Sequence, residues 1–139
     1  MVVADADVLI EVLRKNPVAL SFIRNEIGPY EILISVITVA EIQQGAANKQ
    51  ELLKINRMLR QFIELPIEVG ISNKFVDLFN RYVLSHDCGI PDMLVAATCL
   101  HYKLPLLTIN QKHFKHIQGL QLVKHAIKPL SGKSFFGLE

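Results

Sequence analysis

The segment Val2-Val3-Ala4-Asp5-Ala6-Asp7-Val8-Leu9-Ile10 limits what this chain can fold into more than any other. Apolar residues flank Asp5 on both sides, the pattern of a strand covered on both faces. A carboxylate in such a strand is costly to bury unless something pairs with it. Val8, Leu9, Val12 and Leu13 follow at helical spacing, so the strand hands over to a helix beside Asp5. In an open parallel sheet, that carboxyl edge is where ligands bind. Asp5 is therefore a candidate site residue, and the question becomes which other acids reach it.

Strand and helix signals alternate along the rest of the chain. Helices are predicted at 7–14, stopped by Asn16-Pro17, and at 17–27, ended by Gly28-Pro29. A short strand at 31–34 leads into a helix at 35–44, closed by Gly45. Residues 50–64 carry Leu52, Ile55, Leu59, Phe62 and Ile63 on one stripe and read as an amphipathic helix broken by Pro66. A short strand at 67–69, a helix at 72–84, a polar loop at 85–89 and a helix from 90 to about 102 follow. Strands at 104–108 and 120–123 flank a turn or short helix at 110–116. This order predicts an α/β fold with a mostly parallel central sheet and helices on both faces. The two helices predicted between 50 and 84 are longer than a simple crossover needs, and are expected to form a lobe or a partner surface.

With 139 residues, half of them hydrophobic, the chain is expected to form one globular domain over 1–127. The tail at 128–139, with Pro129, Gly132 and Gly137, is expected to be loosely ordered. No apolar run reaches membrane-spanning length, and no basic segment precedes a long apolar stretch as in a signal peptide. Cys88 and Cys99 form no CxxC pair, which fits a reducing, cytoplasmic setting. A formal charge of +2 permits an anionic partner without requiring one. With no Trp and few other aromatics, no stacking platform for single-stranded RNA is advertised.

Four polar positions lie just past predicted strand ends. Asp5 ends the first strand, and Glu41 follows the second by one to two helical turns among Val39, Ala40 and Ile42. Asp92 opens the helix leading into the strand at 104–108, and Asn110 lies two residues beyond that strand. Acids gathered from separate elements repel unless a cation lies between them. Oxygen ligands of this kind suit Mg²⁺ or Mn²⁺. A hard ion with open positions for water is suited to phosphodiester hydrolysis. Plainer roles exist for each residue. Asp5 or Asp7 can cap the first helix, Asp92 can cap its own, and Glu41 can close a capping box with Thr38.

Four motifs in order resemble the PIN domain, and more narrowly the VapC toxins of bacterial and archaeal toxin–antitoxin pairs. They are Val3-Ala4-Asp5-Ala6-Asp7-Val8-Leu9-Ile10, Ser35-x-x-Thr38-x-x-Glu41-x-x-x-Gly45, Pro91-Asp92-x-x-x-Ala96-Ala97-Thr98 and Leu106-Leu107-Thr108-x-Asn110-x-x-His113-Phe114. The resemblance spans residues 1–125 and implies a three-layer α/β/α sandwich with an Mg²⁺- or Mn²⁺-dependent endoribonuclease site. It implies that Asp5, Glu41 and Asp92 are catalytic, metal-binding acids, with Asp7 acting through a bound water and Thr108 as an accessory that orients Asp5 or a water. Asn110 stands where the family often has a fourth acid. It implies a weak or water-mediated ligand and favours one metal over two. His113 replaces an Asp common before Phe, and Asp7 replaces the usual Asn or Ser. The likeness also implies an RNA substrate, a homodimer and a cognate antitoxin, possible higher toxin–antitoxin assemblies, and a docking groove supplied by the helices at 17–27 and 50–64. No membrane partner is expected.

The residues leave other readings open. Asp5-Ala6-Asp7 imitates the start of a haloacid-dehalogenase-type phosphatase, without its downstream Lys and paired-Asp motifs. A structure-specific DNA nuclease shares the acidic site. A module that binds RNA or a protein partner with little or no cleavage is consistent with Asn110 and the modest charge. His113-x-x-His116 has ligand-like spacing, but two histidines without a third ligand read as surface residues. Grip on a phosphate backbone would fall to scattered cations such as Arg14, Lys15, Lys112 and Lys115, each of which reads more simply as an ordinary solvated charge.

Overall fold

Strand β1 (Val2–Ala4) is the centre of a four-stranded, wholly parallel sheet described by a computed structural model over residues 1–130. Its neighbours are β2 (Ile32–Ser35) on one side and β4 (Leu106–Leu107) on the other, with β3 (Ile63–Leu65) at the edge beyond β2. Val3 pairs with Leu33 and Leu106, and Ala4 with Leu107. Successive strand residues point to opposite faces. Val2, Ala4, Ile32, Ile34 and Leu107 enter one core, while Val3, Leu33, Leu65 and Leu106 enter the other. This split explains the unbroken apolar runs, because neither face meets water.

The first core is roofed by α1 (Ala6–Leu13), α2 (Pro17–Phe22) and α4 (Lys49–Leu59). The second is covered by α5 (Val69–Tyr82) and α6 (Ile90–Tyr102), which run against each other. Between them α3 (Val36–Gln44) leaves the end of β2 and packs on α1, α4 and α6. The result is the three-layer α/β/α sandwich that the sequence predicts.

Local signals set most boundaries. Asp5 caps α1, Asn16 caps α2 with Pro17 in its first turn, Ser35 caps α3 and Asn48 caps α4. The turn Ile23–Ile27 after α2 is π-helical and closes with Gly28 N–H donating to Ile23 O at 2.8 Å. Gly28 takes φ 92°, a left-handed conformation that a side chain would strain.

Three expected elements differ. The helix read over 50–64 stops at Leu59, and Ile63–Leu65 forms strand β3 against Leu33–Ser35. Ile63 and Phe62 satisfy a helical stripe as well as a strand. β3 is an edge strand whose first two residues are exposed, so no alternation advertises it. The strand expected at 67–69 is absent, and α5 starts at Val69 instead. The strand expected at 120–123 is reduced to a single parallel bridge between Leu122 and Leu106. The two helices expected to form a lobe or a partner surface form no lobe: α4 packs on the first core and α5 on the second.

Most of the tail at 128–139 falls outside the described residues. Its first three residues are tied to α1. Glu11, 2% exposed, accepts from Leu130 N at 3.0 Å, from Asn16 Nδ2 at 3.0 Å and from Arg14 Nη1 at 2.8 Å. Asn16 Nδ2 also donates to Lys128 O at 2.8 Å, and Arg14 to Leu130 O at 3.2 Å. A buried carboxylate with three donors is stabilising only while all three are present. Glu11→Ala should lower the unfolding free energy by about 2–3 kcal/mol, and Glu11→Gln by roughly half that. Urea midpoints of the two variants beside the parent protein check this.

Candidate functional site

The carboxyl ends of β1 and β4 carry the site. Asp5 N donates to Leu107 O at 2.9 Å, which extends the pairing of the two strands by one residue and sets Asp5 beside Thr108. The Thr108 hydroxyl, fully buried, lies 2.9 Å from Asp5 Oδ2 and 3.3 Å from Asp7 Oδ2. It has one proton to give, and the shorter contact marks Asp5 as its acceptor. Its oxygen in turn accepts from Asn110 N at 3.2 Å, and its backbone carbonyl accepts from His125 Nε2 at 2.6 Å. Asp5 Oδ1 accepts from Ala6 N at 2.8 Å, so Asp5 does cap α1 while also facing the site. Asp7 accepts from the backbone N–H of Ile109 at 3.2 Å and of Asn110 at 3.0 Å.

Asp92 projects from the first turn of α6, where Gly89 holds the cap position without a side-chain bond. Asp92 therefore does not cap its helix. Its Oδ2 lies 3.0 Å from His113 Nδ1, and the Asn110 amide nitrogen lies 3.1 Å from the same ring atom. Against an ionised Asp92, His113 Nδ1 carries the proton and donates it. His113 was read as a surface residue, yet it sits on an acid of the cluster. Its sequence signal was only the departure from Asp before Phe114. Glu41 lies on α3, one turn after Thr38, and is half-buried. The capping box expected for it is not formed, because Ser35 caps α3. Thr38 Oγ1 is left enclosed without a hydrogen-bond partner among the described residues.

These acids share one electrostatic field. Burial, then the neighbouring charge of Asp7, pushes the Asp5 carboxyl up to about 7, with Asp92 adding to the rise and Thr108 and Ala6 opposing it. Burial also raises Asp7, against the backbone donors at 109 and 110. Glu41 is raised by burial first, then by the charges of Asp92 and Asp7. So Asp5, Asp7 and Thr108 touch directly, Asp92 is held by His113, and Glu41 belongs to the group through charge alone. As the side chains lie, no three His, Cys, Asp or Glu of the described residues close around a point that would hold a metal ion. The donor set nevertheless fits a hard divalent cation. It consists of carboxylate oxygens, partly desolvated and mutually repelling, whose ionised forms a cation would favour.

Of the four cations expected to grip phosphate, Arg14 is engaged by Glu11 and the Leu130 carbonyl. Lys15, Lys112 and Lys115 are exposed.

The folded chain keeps a proton on Asp5 between pH 3.8 and about 7 that the unfolded chain has already released. Over that window the unfolded state binds fewer protons, so metal-free stability falls as pH rises and levels off past the folded pKa. Asp5→Asn should flatten this decline. It should raise metal-free stability at about pH 8 by on the order of 2 kcal/mol, with little change at about pH 4. Urea unfolding in the presence of a chelator at both pH values tests the sign.

Comparison with known proteins bears on this geometry. The family model described as PIN domain matches residues 2–120. A ribonuclease VapC from Rickettsia bellii (strain RML369-C) is 30% identical over 105 residues, 73% of this chain and 77% of the relative. A toxin–antitoxin complex from Klebsiella pneumoniae contains a chain similar at 27% identity and TM-score 0.72, covering 86% of this chain and 95% of that one. VapBC-1 from nontypeable Haemophilus influenzae shares the fold at TM-score 0.74 and 20% identity, over 88% of this chain and 97% of that one.

Proposed function

The chain belongs to the PIN domain family, as a relative of the VapC ribonucleases, and on that premise we propose that it is a divalent-metal-dependent endoribonuclease, the toxin of a toxin–antitoxin pair. The observation that carries the reading is the group of raised carboxylates at the carboxyl edge of a parallel sheet. This is the edge where such folds bind ligands. The likeness to PIN and VapC proteins displaces the dehalogenase-type phosphatase.

In this reading Asp5, Glu41 and Asp92 hold Mg²⁺ or Mn²⁺, with Asp7 and Asn110 acting through water. The bound ion supplies Lewis acidity toward the phosphate and lowers the pKa of a nucleophilic water. The protein's own groups prepare the place. Thr108 fixes Asp5 Oδ2, and Ala6 N–H fixes Oδ1, so the carboxylate cannot swing away. The N–H groups of Ile109 and Asn110 hold Asp7 toward the same edge. His113 steadies Asp92 and brings no negative charge where an acid would stand. With Asn110 neutral as well, the charge at this end of the site suits one ion better than two.

An antitoxin is the proposed protein partner. Two clefts support it, one of about 360 Å³ beside Pro17, Val18, Phe22 and Glu26, and one of about 590 Å³ between α3, α4 and β3. They lie along the helices to which the family resemblance assigns a docking groove. A homodimer is proposed as well, because Val69 (78% exposed), Val76 (62%) and Val83 (45%) repeat every seven residues along the α5 segment. No helix among the described residues is long and apolar enough to cross a membrane. A cytoplasmic site of action is part of this proposal.

A non-cleaving RNA- or partner-binding role is the second reading, favoured by the open arrangement of the acids and by His113 occupying Asp92. Cleavage decides between them. Antitoxin-free protein should cut structured RNAs in Mg²⁺ or Mn²⁺ and stop when a chelator is added. Asp5→Asn and Asp92→Asn should each lower the rate by about a hundredfold or more. Wild-type protein no more active than both variants would establish the non-cleaving role.

A further inference from the structure

A second group of side chains, on the two segments that also reach Asp92, is unused by the site described so far. The rings of His86 and His116 stack with centroids 3.9 Å apart and planes 7° apart. Tyr82, buried under both, meets His86 edge-on at 5.6 Å and His116 at 4.8 Å. The Tyr82 hydroxyl accepts from Gln118 N at 3.3 Å, and Ser85 Oγ lies 2.8 Å from His86 Nδ1. His86 thus has one face covered by His116, a tethered ring nitrogen and a buried support beneath. Its residue is exposed, so its other face and rim meet solvent.

The position is tied to the acids by two short tethers. Three residues after His86, a Cβ added to Gly89 would stand 3.4 Å from Asp92 Oδ2. Three residues before His116, His113 Nδ1 is 3.0 Å from that same oxygen. Three residues of chain span at most about 11 Å. Arg81, Lys112 and Lys115, all exposed, come from the same two segments. An exposed aromatic ring, with cations on the segments that carry it and the single acid Asp87 next in sequence, has the make-up of a single-stranded nucleic-acid contact.

Resting on the endoribonuclease reading, we infer that the outer face of His86 is a stacking platform for an unpaired base of the RNA next to the scissile phosphate, and so a positioning residue. The sequence, lacking Trp, advertised no such platform; stacked imidazoles supply it. The pair is suited to this while neutral, and burial together with His86 lowers the pKa of His116. A transition-metal site is the poorer explanation. The lone pairs of stacked rings lie in two separate, nearly parallel planes and so do not converge on one ion, and no three-ligand group of the described residues includes them.

The test uses antitoxin-free protein and an RNA hairpin whose loop carries one 2-aminopurine, a base that loses fluorescence when it stacks. Wild type should quench the probe. His86→Ala should weaken binding between about fivefold and about a hundredfold and abolish the quench, while His86→Tyr restores both. Equal affinity and quench for His86→Ala and wild type would overturn the inference, as would failure of wild type to bind or quench. Binding and quench without cleavage would overturn the nuclease reading alone. Loss of affinity for a protein partner but not for the hairpin would make this face a protein contact and likewise overturn the inference.

Discussion

Parallel pairing of β1 with β4 is the constraint on which the site rests. It matches Val3 with Leu106 and Ala4 with Leu107, and the bond from Asp5 N to Leu107 O carries that register one step past the strand. Only this alignment sets Asp5 against the Thr108 hydroxyl and leaves Asp7 to meet the next two backbone N–H groups. A slip of one residue would turn each side chain to the opposite face, burying a carboxylate in one of the two apolar cores. Register and chemistry are thus specified by the same few residues. The polar residues that bound the apolar runs protect the first, and neighbouring donors protect the second.

The acids are held by groups that do not neutralise them. A hydroxyl and backbone N–H groups favour their ionised forms, while burial and mutual repulsion oppose ionisation. Lysines in their place would have paired the charges and closed the site. A fold that retains such repulsion is less stable than it could be, as expected where a ligand completes the arrangement. The contrast lies at Glu11, an acid more deeply buried than any of them but satisfied by three donors, which serves structure alone.

The layers and the central strands were legible because both-face burial leaves unbroken apolar runs, and because Asn16-Pro17, Ser35 and Gly28-Pro29 punctuate the chain with cap and turn chemistry. The edge strand was not. Ile63-Glu64-Leu65 exposes two of its three residues, so periodicity cannot separate it from the last turn of the preceding helix. At the site, sequence order marks Asp5 and Glu41 through their positions after strand ends, and Asp92 through its place at the start of the helix that leads into a strand. It could not show that His113 would lie on Asp92, or that His125 would hold the Thr108 carbonyl. Those contacts depend on how the 110–125 segment folds back, and it does so with little regular structure to announce it.

The separation of the partners along the chain has a consequence for when the site comes into being. Thr108 is 103 residues from Asp5, and the strand that brings them together follows all six α-helices of the described residues. During synthesis from the N-terminus, β1 emerges first and must wait for β4 before its acids are positioned. A ribosome-bound fragment lacking the last third of the domain therefore carries Asp5 and Glu41 without their frame. On the endoribonuclease reading, the chain has no assembled centre until β4 has been made and has paired with β1.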